Sequence, residues 1–219
     1  NDGLIYKCVN KGIIDSGLKT NSIGGIVNYL GEFASVIDCT NYGNINSNSE
    51  GCVGGIVAES YLYGSTEVDG KSVLDPGEHL ISGCNNYGKL TGHSVVGGIV
   101  GNVSTQGRYI KIVNCNNYSD ISGYTDTLLG GIVGSLDSEI SAVTISNCSN
   151  TGTLRMDNEI VANKVYGLKD SEEMYCTDAT HKHQALSDKN YTLNHGEGID
   201  LGTNNQDVRL VYSDNQLIC

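Results

Sequence analysis

A seven-residue motif recurs five times along this chain, and the repetition constrains the fold more than any other feature. Each copy begins with cysteine, carries asparagine two residues later, and ends with isoleucine or leucine six residues after the cysteine. The five copies begin at Cys8, Cys39, Cys84, Cys115 and Cys148. Successive cysteines are 31, 45, 31 and 33 residues apart. A repeat period in this range is typical of a stacked solenoid.

Two further sets of residues keep the same register as the cysteines. Three residues before each cysteine stands a β-branched residue: Ile5, Val36, Ile81, Ile112 and Ile145. A Gly-Gly-Ile-Val segment lies between successive copies, at residues 24–27, 54–57, 97–100 and 130–133. Short apolar segments separated by Asn and Gly predict short strands joined by tight corners. Paired glycines predict a bend or a close approach of two backbones.

These patterns predict an all-β protein, a right-handed parallel β-solenoid (β-helix) of about five coils of ~31 residues with a C-terminal cap. Stacked coils would place equivalent residues above one another, about 4.8 Å apart. The asparagines would then form a ladder of amide hydrogen bonds at one corner. A β-sandwich is the alternative fold, since it too uses regularly spaced short strands. A sandwich does not require the same residue at the same corner of every unit.

Composition supports strands and argues against two classes of partner. The chain has 29 Gly and one Pro, which disfavours helices and leaves nearly every backbone N–H free for a ladder. Its formal net charge is −12, from 13 basic and 25 acidic residues. Nucleic-acid binding requires a basic surface, so nucleic acid is not an expected partner. No apolar run is long enough to span a membrane.

The spacing also predicts the domain organisation. Residues 1–168 form the repeat region, and residues 169–219, where no repeat is visible, form a C-terminal cap or small β module. The second spacing is longer than the others because of an insertion at residues 58–79. Insertions in solenoids emerge as loops on one face and often bind ligands. We predict a ligand-binding loop with the residues Glu59, Tyr61, Tyr63, Glu67 and Asp69; the alternative is an insertion without function.

The repeated unit resembles the GLUG-type repeat, which is carried by the motif Cys-x-Asn-x-Gly-x-Ile together with Val-Gly-Gly-Ile-Val-Gly. The resemblance covers residues 1–154 and is closest at Val96–Gly101 and Leu129–Gly134. GLUG-type repeats occur in large bacterial secreted or surface proteins, including adhesin-like proteins and immunoglobulin A-cleaving peptidases. The resemblance implies an extracellular or cell-surface location and flanking domains in a longer chain. It implies no catalytic residue.

The eight cysteines have no metal-binding spacing, because no two are separated by only two to four residues. In-register thiols point the same way, so we predict a stack of buried free cysteines rather than disulfides. A disulfide between Cys176 and Cys219 remains open as a clip for the cap. We predict that His181, His183 and His195 are exposed in the cap, and we predict no metal and no cofactor.

No catalytic constellation can be identified in the sequence. The acidic residues Asp38, Asp120 and Asp137 occupy different positions of the repeat, whereas glycosidases need a pair of carboxylates facing one groove. We therefore expect a non-catalytic extracellular module, adhesin-like or structural, that binds a host glycan or protein. The alternative is a polysaccharide-active β-helix enzyme or an accessory domain of a secreted peptidase, which rests on analogy of fold alone.

Overall fold

The computed structural model describes residues 3–17, 22–31, 34–62, 65–68, 71–74, 78–105, 109–136, 142–160, 166–168, 174–176, 191–193, 208–213 and 216–218. Every regular element in these residues is a β-strand. Each coil of the repeat contains up to five short strands, separated by corners.

The strands follow one another coil by coil. The first coil contains β1 (Leu4–Tyr6), β2 (Val9–Asn10), β3 (Ile14–Ser16), β4 (Ile23–Gly24) and β5 (Val27–Leu30). The second contains β6 (Ser35–Ile37), β7 (Thr40–Asn41), β8 (Ile45–Ser47), β9 (Cys52–Gly54) and β10 (Val57–Leu62). A hairpin of β11 (Ser65–Val68) and β12 (Lys71–Leu74) follows. The third coil contains β13 (Glu78–Ser82), β14 (Asn85–Asn86), β15 (Leu90–Thr91), β16 (Val95–Gly97) and β17 (Val100–Thr105).

The fourth coil contains β18 (Tyr109–Val113), β19 (Asn116–Asn117), β20 (Ile121–Gly123), β21 (Leu128–Gly130) and β22 (Val133–Leu136). The fifth begins with β23 (Ala142–Ser146), β24 (Ser149–Asn150) and β25 (Leu154–Met156). The remaining strands are β26 (Glu159–Ile160), β27 (Tyr166–Leu168), β28 (Met174–Cys176), β29 (Tyr191–Leu193), β30 (Val208–Ser213) and β31 (Gln216–Ile218).

Equivalent strands of successive coils pair in parallel, which confirms the β-solenoid. The first strands of the coils form the ladder β1-β6-β13-β18-β23, and the second strands form β2-β7-β14-β19-β24. The registers join Ile5 to Val36 and Val36 to Ile81. The described residues supply the strands of four coils and the first strands of a fifth, slightly fewer than the five coils predicted. The C-terminal end departs from the repeat, because β30 pairs antiparallel with β23.

Two apolar clusters run along the axis of the solenoid. One combines the β-branched residues that precede the cysteines with Cys39, Cys84, Cys115 and Cys148. The other combines the residues six positions after the cysteines with the apolar residues just before the paired glycines: Ile23, Ile45, Val53, Leu90, Val96, Ile121, Leu129 and Leu154. Most of these side chains are fully buried because each lies between its equivalents in the coils above and below.

The paired glycines mark close approaches of the backbone, as predicted. A Cβ added to Gly54 would lie 1.7 Å from the carbonyl oxygen of Val57. One added to Gly55 would lie 2.1 Å from the carbonyl oxygen of Gly98 in the next coil. No side chain fits at either position.

The corner before each repeat cysteine has a left-handed backbone that the sequence analysis missed. The φ angles are 54° at Lys7, 54° at Asp38, 65° at Gly83, 55° at Asn114 and 50° at Asn147. Gly, Asn and Asp tolerate this region best, and they occupy four of the five positions. Asp157 and Asn158 also have left-handed φ angles, and they form the two-residue turn of the β25–β26 hairpin.

Much of the predicted cap lies outside the described residues. The backbone of β28, β29, β30 and β31 is described within 169–219, whereas His181, His183, His195 and Cys219 lie outside. The proposed Cys176–Cys219 disulfide is therefore left as a prediction.

Candidate binding surfaces

The insertion at residues 58–79 contains the hairpin β11–β12, an antiparallel pair that joins Ser65 to Leu74 and Val68 to Lys71. The predicted loop residue Glu67 lies in β11, and Tyr61 lies in β10. Tyr63 and Asp69 lie outside the described residues. The hairpin thus branches from the solenoid between β10 and β13, and its role as a binding loop is left as a prediction.

Glu59 differs from the other predicted loop residues, because the structure places it in a coil. It lies in β10 and pairs in register with Tyr29 on one side and Asn102 on the other. Its side chain is 8% exposed and accepts a hydrogen bond from the Ser22 hydroxyl. It therefore lies in a strand of the coil rather than in the β11–β12 hairpin. Strand β10 continues to Leu62, so residues 58–62 of the predicted insertion lie in a strand of the coil.

Three stacked tyrosines form a column on the surface, three residues after successive repeat cysteines. The ring centroids of Tyr42 and Tyr87 are 5.0 Å apart, and those of Tyr87 and Tyr118 are 4.7 Å apart. Both pairs are within 10° of parallel. The three residues remain 52%, 44% and 44% exposed. Partial burial between its neighbours raises the pKa of the Tyr87 phenol, and the adjacent Tyr118 and Tyr42 add to the effect.

Polar residues at the motif positions near each tyrosine are hydrogen-bonded between coils. Two residues before the tyrosine position, Asn116 Nδ2 donates to Asn85 Oδ1 at 3.2 Å, and Ser149 Oγ donates to Asn116 Oδ1 at 2.6 Å. Two residues after it, the Lys89 backbone N–H donates to Asn44 Oδ1 at 2.9 Å. These amides are thus held by neighbouring coils.

The asparagine ladder beneath the tyrosine column fixes its spacing. The Nδ2 groups of Asn10, Asn41, Asn86 and Asn117 each donate to the Oδ1 of the ladder asparagine in the next coil, at 2.7–2.8 Å. Each Nδ2 also donates to a carbonyl oxygen two residues along its own chain, as Asn86 does to Gly88 at 2.9 Å. The ladder predicted from the sequence is confirmed, and it locks the corner that carries each tyrosine.

A second aromatic stack lies at another corner. The rings of His93 and Tyr124 are 4.0 Å apart and within 10° of parallel. Tyr124 is held by a bond from its backbone N–H to Thr127 Oγ1 at 2.9 Å, and Thr127 Oγ1 donates to the His93 carbonyl at 3.0 Å. This stack joins one residue from each of two successive coils, whereas the tyrosine column spans three coils.

The cysteine column consists of free thiols, as predicted. Cys39, Cys84, Cys115 and Cys148 are buried, whereas Cys8 in the first coil is exposed. The thiols lie near main-chain carbonyl oxygens two residues earlier, 3.3 Å for Cys115 and Val113. Burial raises the pKa of the Cys39 thiol to about 11 and holds that of the Cys115 thiol well above its ordinary value.

Asp120 and His79 each contact a neighbouring part of the solenoid. Asp120 Oδ1 accepts the backbone N–H of Thr153 at 3.0 Å. His79 is fully buried, with Nδ1 2.7 Å from Ser60 Oγ. Among the side chains that the structure describes, no group of three or more His, Cys, Asp or Glu residues is arranged to hold a metal ion. Asp137 lies outside the described residues.

The fold and these surfaces define a parallel β-solenoid repeat protein with an aromatic column on one face. No protein-family model matches the chain, and no curated protein matches its sequence. In the part of the chain that the structure describes, no helix is long and apolar enough to cross a membrane.

Proposed function

We propose that the chain is a non-catalytic repeat module that presents the tyrosine column to a host glycan or protein, as one segment of a larger bacterial surface or secreted protein. The observation that carries this proposal is the exposed stack of Tyr42, Tyr87 and Tyr118. The extracellular setting is supported by the resemblance of the repeat to GLUG-type sequences.

Tyrosine suits a binding surface because it offers a large, rigid contact area and a hydroxyl for hydrogen bonding. The stacked tyrosines are about half exposed, and asparagines at neighbouring motif positions offer further donors and acceptors. Each part of the surface is held by an in-register ladder, so little side-chain freedom is lost on binding. Polar hydroxyl-rich ligands and protein surfaces both match this arrangement of aromatic and amide groups.

The test is a binding screen with host glycans and extracellular host proteins, followed by substitution of the central tyrosine. Tyr87→Ala should weaken binding to a confirmed ligand at least tenfold, because it removes a ring and separates its two neighbours. Tyr124→Ala is the matched control: it also removes an exposed, stacked tyrosine, but from the pair with His93.

Deletion of the hairpin, residues 65–74, separates the second predicted surface from the first. Unchanged binding in Tyr87→Ala with loss of binding in the hairpin deletion would move the site from the tyrosine column to the insertion. Unchanged binding in both variants would contradict both assignments.

A further inference from the structure

A buried polar column crosses strands β10, β17 and β22. Glu59 pairs in register with Asn102, and Asn102 pairs with Ser135. Their side chains are 8%, 6% and 0% exposed. Ser22, which donates to Glu59, is buried as well. Three coils therefore place oxygen-bearing side chains at successive steps of one ladder.

Two polar atoms of this column have no hydrogen-bond partner among the described residues. Within the described part of the chain, the Ser22 hydroxyl is the one side-chain partner of the Glu59 carboxylate. Asn102 Oδ1 and Ser135 Oγ are buried and have no hydrogen-bond partner among the described residues. Buried acceptors are seldom left unsatisfied, and a buried carboxylate is costly without a positive partner. Among the described residues, the column thus combines a buried carboxylate with two oxygen atoms that have no hydrogen-bond partner.

We propose that Glu59 and Asn102 bind a hard cation of the size of Ca²⁺ between them. In-register positions of parallel strands are separated by about 4.8 Å, so an ion midway between two in-register oxygens lies about 2.4 Å from each. This distance falls within the range of about 2.3–2.6 Å found for Ca²⁺ and is too long for Mg²⁺, which needs about 2.0–2.1 Å. Carboxylate, amide and hydroxyl oxygens are the ligands that such ions prefer.

The other two side chains have supporting roles. Ser22 Oγ lies against the same carboxylate and directs one of its oxygens. Ser135 stands one ladder step beyond Asn102, out of direct reach of the ion. Its hydroxyl would form a hydrogen bond with a water molecule bound to the ion. With a single carboxylate, the site resembles weak extracellular calcium sites, with dissociation constants on the order of 10⁻⁴–10⁻³ M.

The test is thermal unfolding of the full chain with a chelator, with CaCl₂, with MgCl₂ and with NaCl at matched ionic strength. At a tenfold excess of Ca²⁺ over its dissociation constant, Tm should rise by about 3–6 °C, and Mg²⁺ should have a smaller effect. A rise produced by Na⁺ but not by Ca²⁺ would overturn the divalent assignment.

Two variants at the site and one control decide whether the ion binds at Glu59. Glu59→Gln keeps the shape but removes the charge, so it should abolish the Ca²⁺ response and leave Tm in chelator equal to or above that of the parent chain. Asn102→Val should also reduce the response. Glu50→Gln is the matched control, because Glu50 is an exposed carboxylate of this strongly acidic chain.

Three results would overturn the proposal. The first is an equal Ca²⁺ response in Glu59→Gln and in the parent chain, which would show non-specific binding to the acidic surface. The second is the absence of any Ca²⁺ response in the parent chain up to about ten times the weakest dissociation constant given above. The third is a loss of response in Glu50→Gln. A buried water bridging Asn102 and Ser135 would produce the second result.

Discussion

The residue before each repeat cysteine shows how a single backbone angle shapes this repeat. A left-handed residue costs about 1–2 kcal/mol unless it is Gly, and less for Asn or Asp. Asp38, Gly83, Asn114 and Asn147 accommodate it, while Lys7 is the exception, with its ammonium 4.8 Å from the Tyr6 ring. The corner also carries contacts between coils, because Asn147 Nδ2 donates to Asn114 Oδ1.

Gly83→Ala tests this corner. The new Cβ would be held at a φ of 65° and would lie 2.4 Å from Asp38 Oδ1 in the neighbouring coil. We expect a loss of about 1–3 kcal/mol in the free energy of unfolding, measured with urea. Gly31→Ala is the control, because its Cβ meets nothing within 4 Å and its φ is not in the left-handed region. An equal effect of the two substitutions would contradict the strain argument.

The cysteine column makes a prediction about thiol reactivity. In the native protein, Cys8 should react with iodoacetamide, whereas Cys39, Cys84, Cys115 and Cys148 should react only after unfolding. Burial excludes the reagent, and the raised pKa of Cys39 keeps its thiol protonated near neutral pH. Peptide mass mapping after native labelling measures each site separately. Labelling of Cys115 at the rate of Cys8 would show that the column opens in solution.

For single residues, the sequence predicts which positions form ladders but not the surroundings of every buried side chain. The cysteine and asparagine columns could be predicted because the same residue recurs in every coil. The left-handed corner had a signal as well, since Asp, Gly and Asn recur before the cysteine, but Lys7 obscured it. The sequence gives no signal for the buried pair of His79 and Ser60, because the equivalent residues in the next coil, Ile110 and Val103, are apolar.

At the scale of the element, the asparagine ladder contributes most where it is buried on both sides. Asn86 lies between Asn41 and Asn117, donates to Asn117 Oδ1 and Gly88, and accepts from Asn41. Asn10, in the first coil, has a ladder partner on one side among the described residues and is partly exposed. The two positions have the same chemistry and differ in burial.

Asn86→Ala should therefore destabilise the protein by about 2–4 kcal/mol, because several buried donors and acceptors lose their partner. Asn10→Ala should cost about 1 kcal/mol, since Asn41 Oδ1 still accepts from Gly43 and water reaches the corner. Urea unfolding of both variants gives the comparison. Equal losses would mean that the ladder bonds are no stronger in the interior than at the first coil.

The tyrosine column and the insertion show why elements were harder to predict than residues. The tyrosines stand at one motif position, but only in three of five copies, with Lys11 and Thr151 at the other two. The insertion was visible from its length, yet its hairpin depends on antiparallel pairing between residues that carry no repeat. The spacing of the repeats places Glu59 in that insertion, whereas β10 continues through this residue.

At the scale of the whole molecule, stability comes from columns that run through every coil. The thiols, the amides and the aliphatic side chains each pack against their equivalents, so a change in one coil is transmitted to its neighbours. The parallel ladders could be predicted because the repeat imposes them. The antiparallel pairing of β30 on β23 could not, because its pattern occurs once.

This arrangement predicts that the folded protein loses stability at alkaline pH. In the unfolded chain a thiol titrates near pH 8.5, whereas in the folded protein the pKa of Cys39 is about 11 and that of Cys115 is also raised. At Cys39 and Cys115 the unfolded state then binds fewer protons than the folded state above pH 8.5, so their contribution is complete below that pH and is lost as pH rises toward 11. The hydrogen bond with the Cys115 thiol lowers the pKa of Cys84, which acts in the opposite direction and reduces the net loss. The urea midpoint should fall between pH 7.5 and 9.5, and the fall should be smaller in the double variant Cys39→Ala, Cys115→Ala.

Tyr87→Phe should leave the fall unchanged, because the phenol pKa is raised above its ordinary 10.0 and lies beyond this window. A fall of equal size in the double variant would assign the alkaline sensitivity to groups outside the cysteine column.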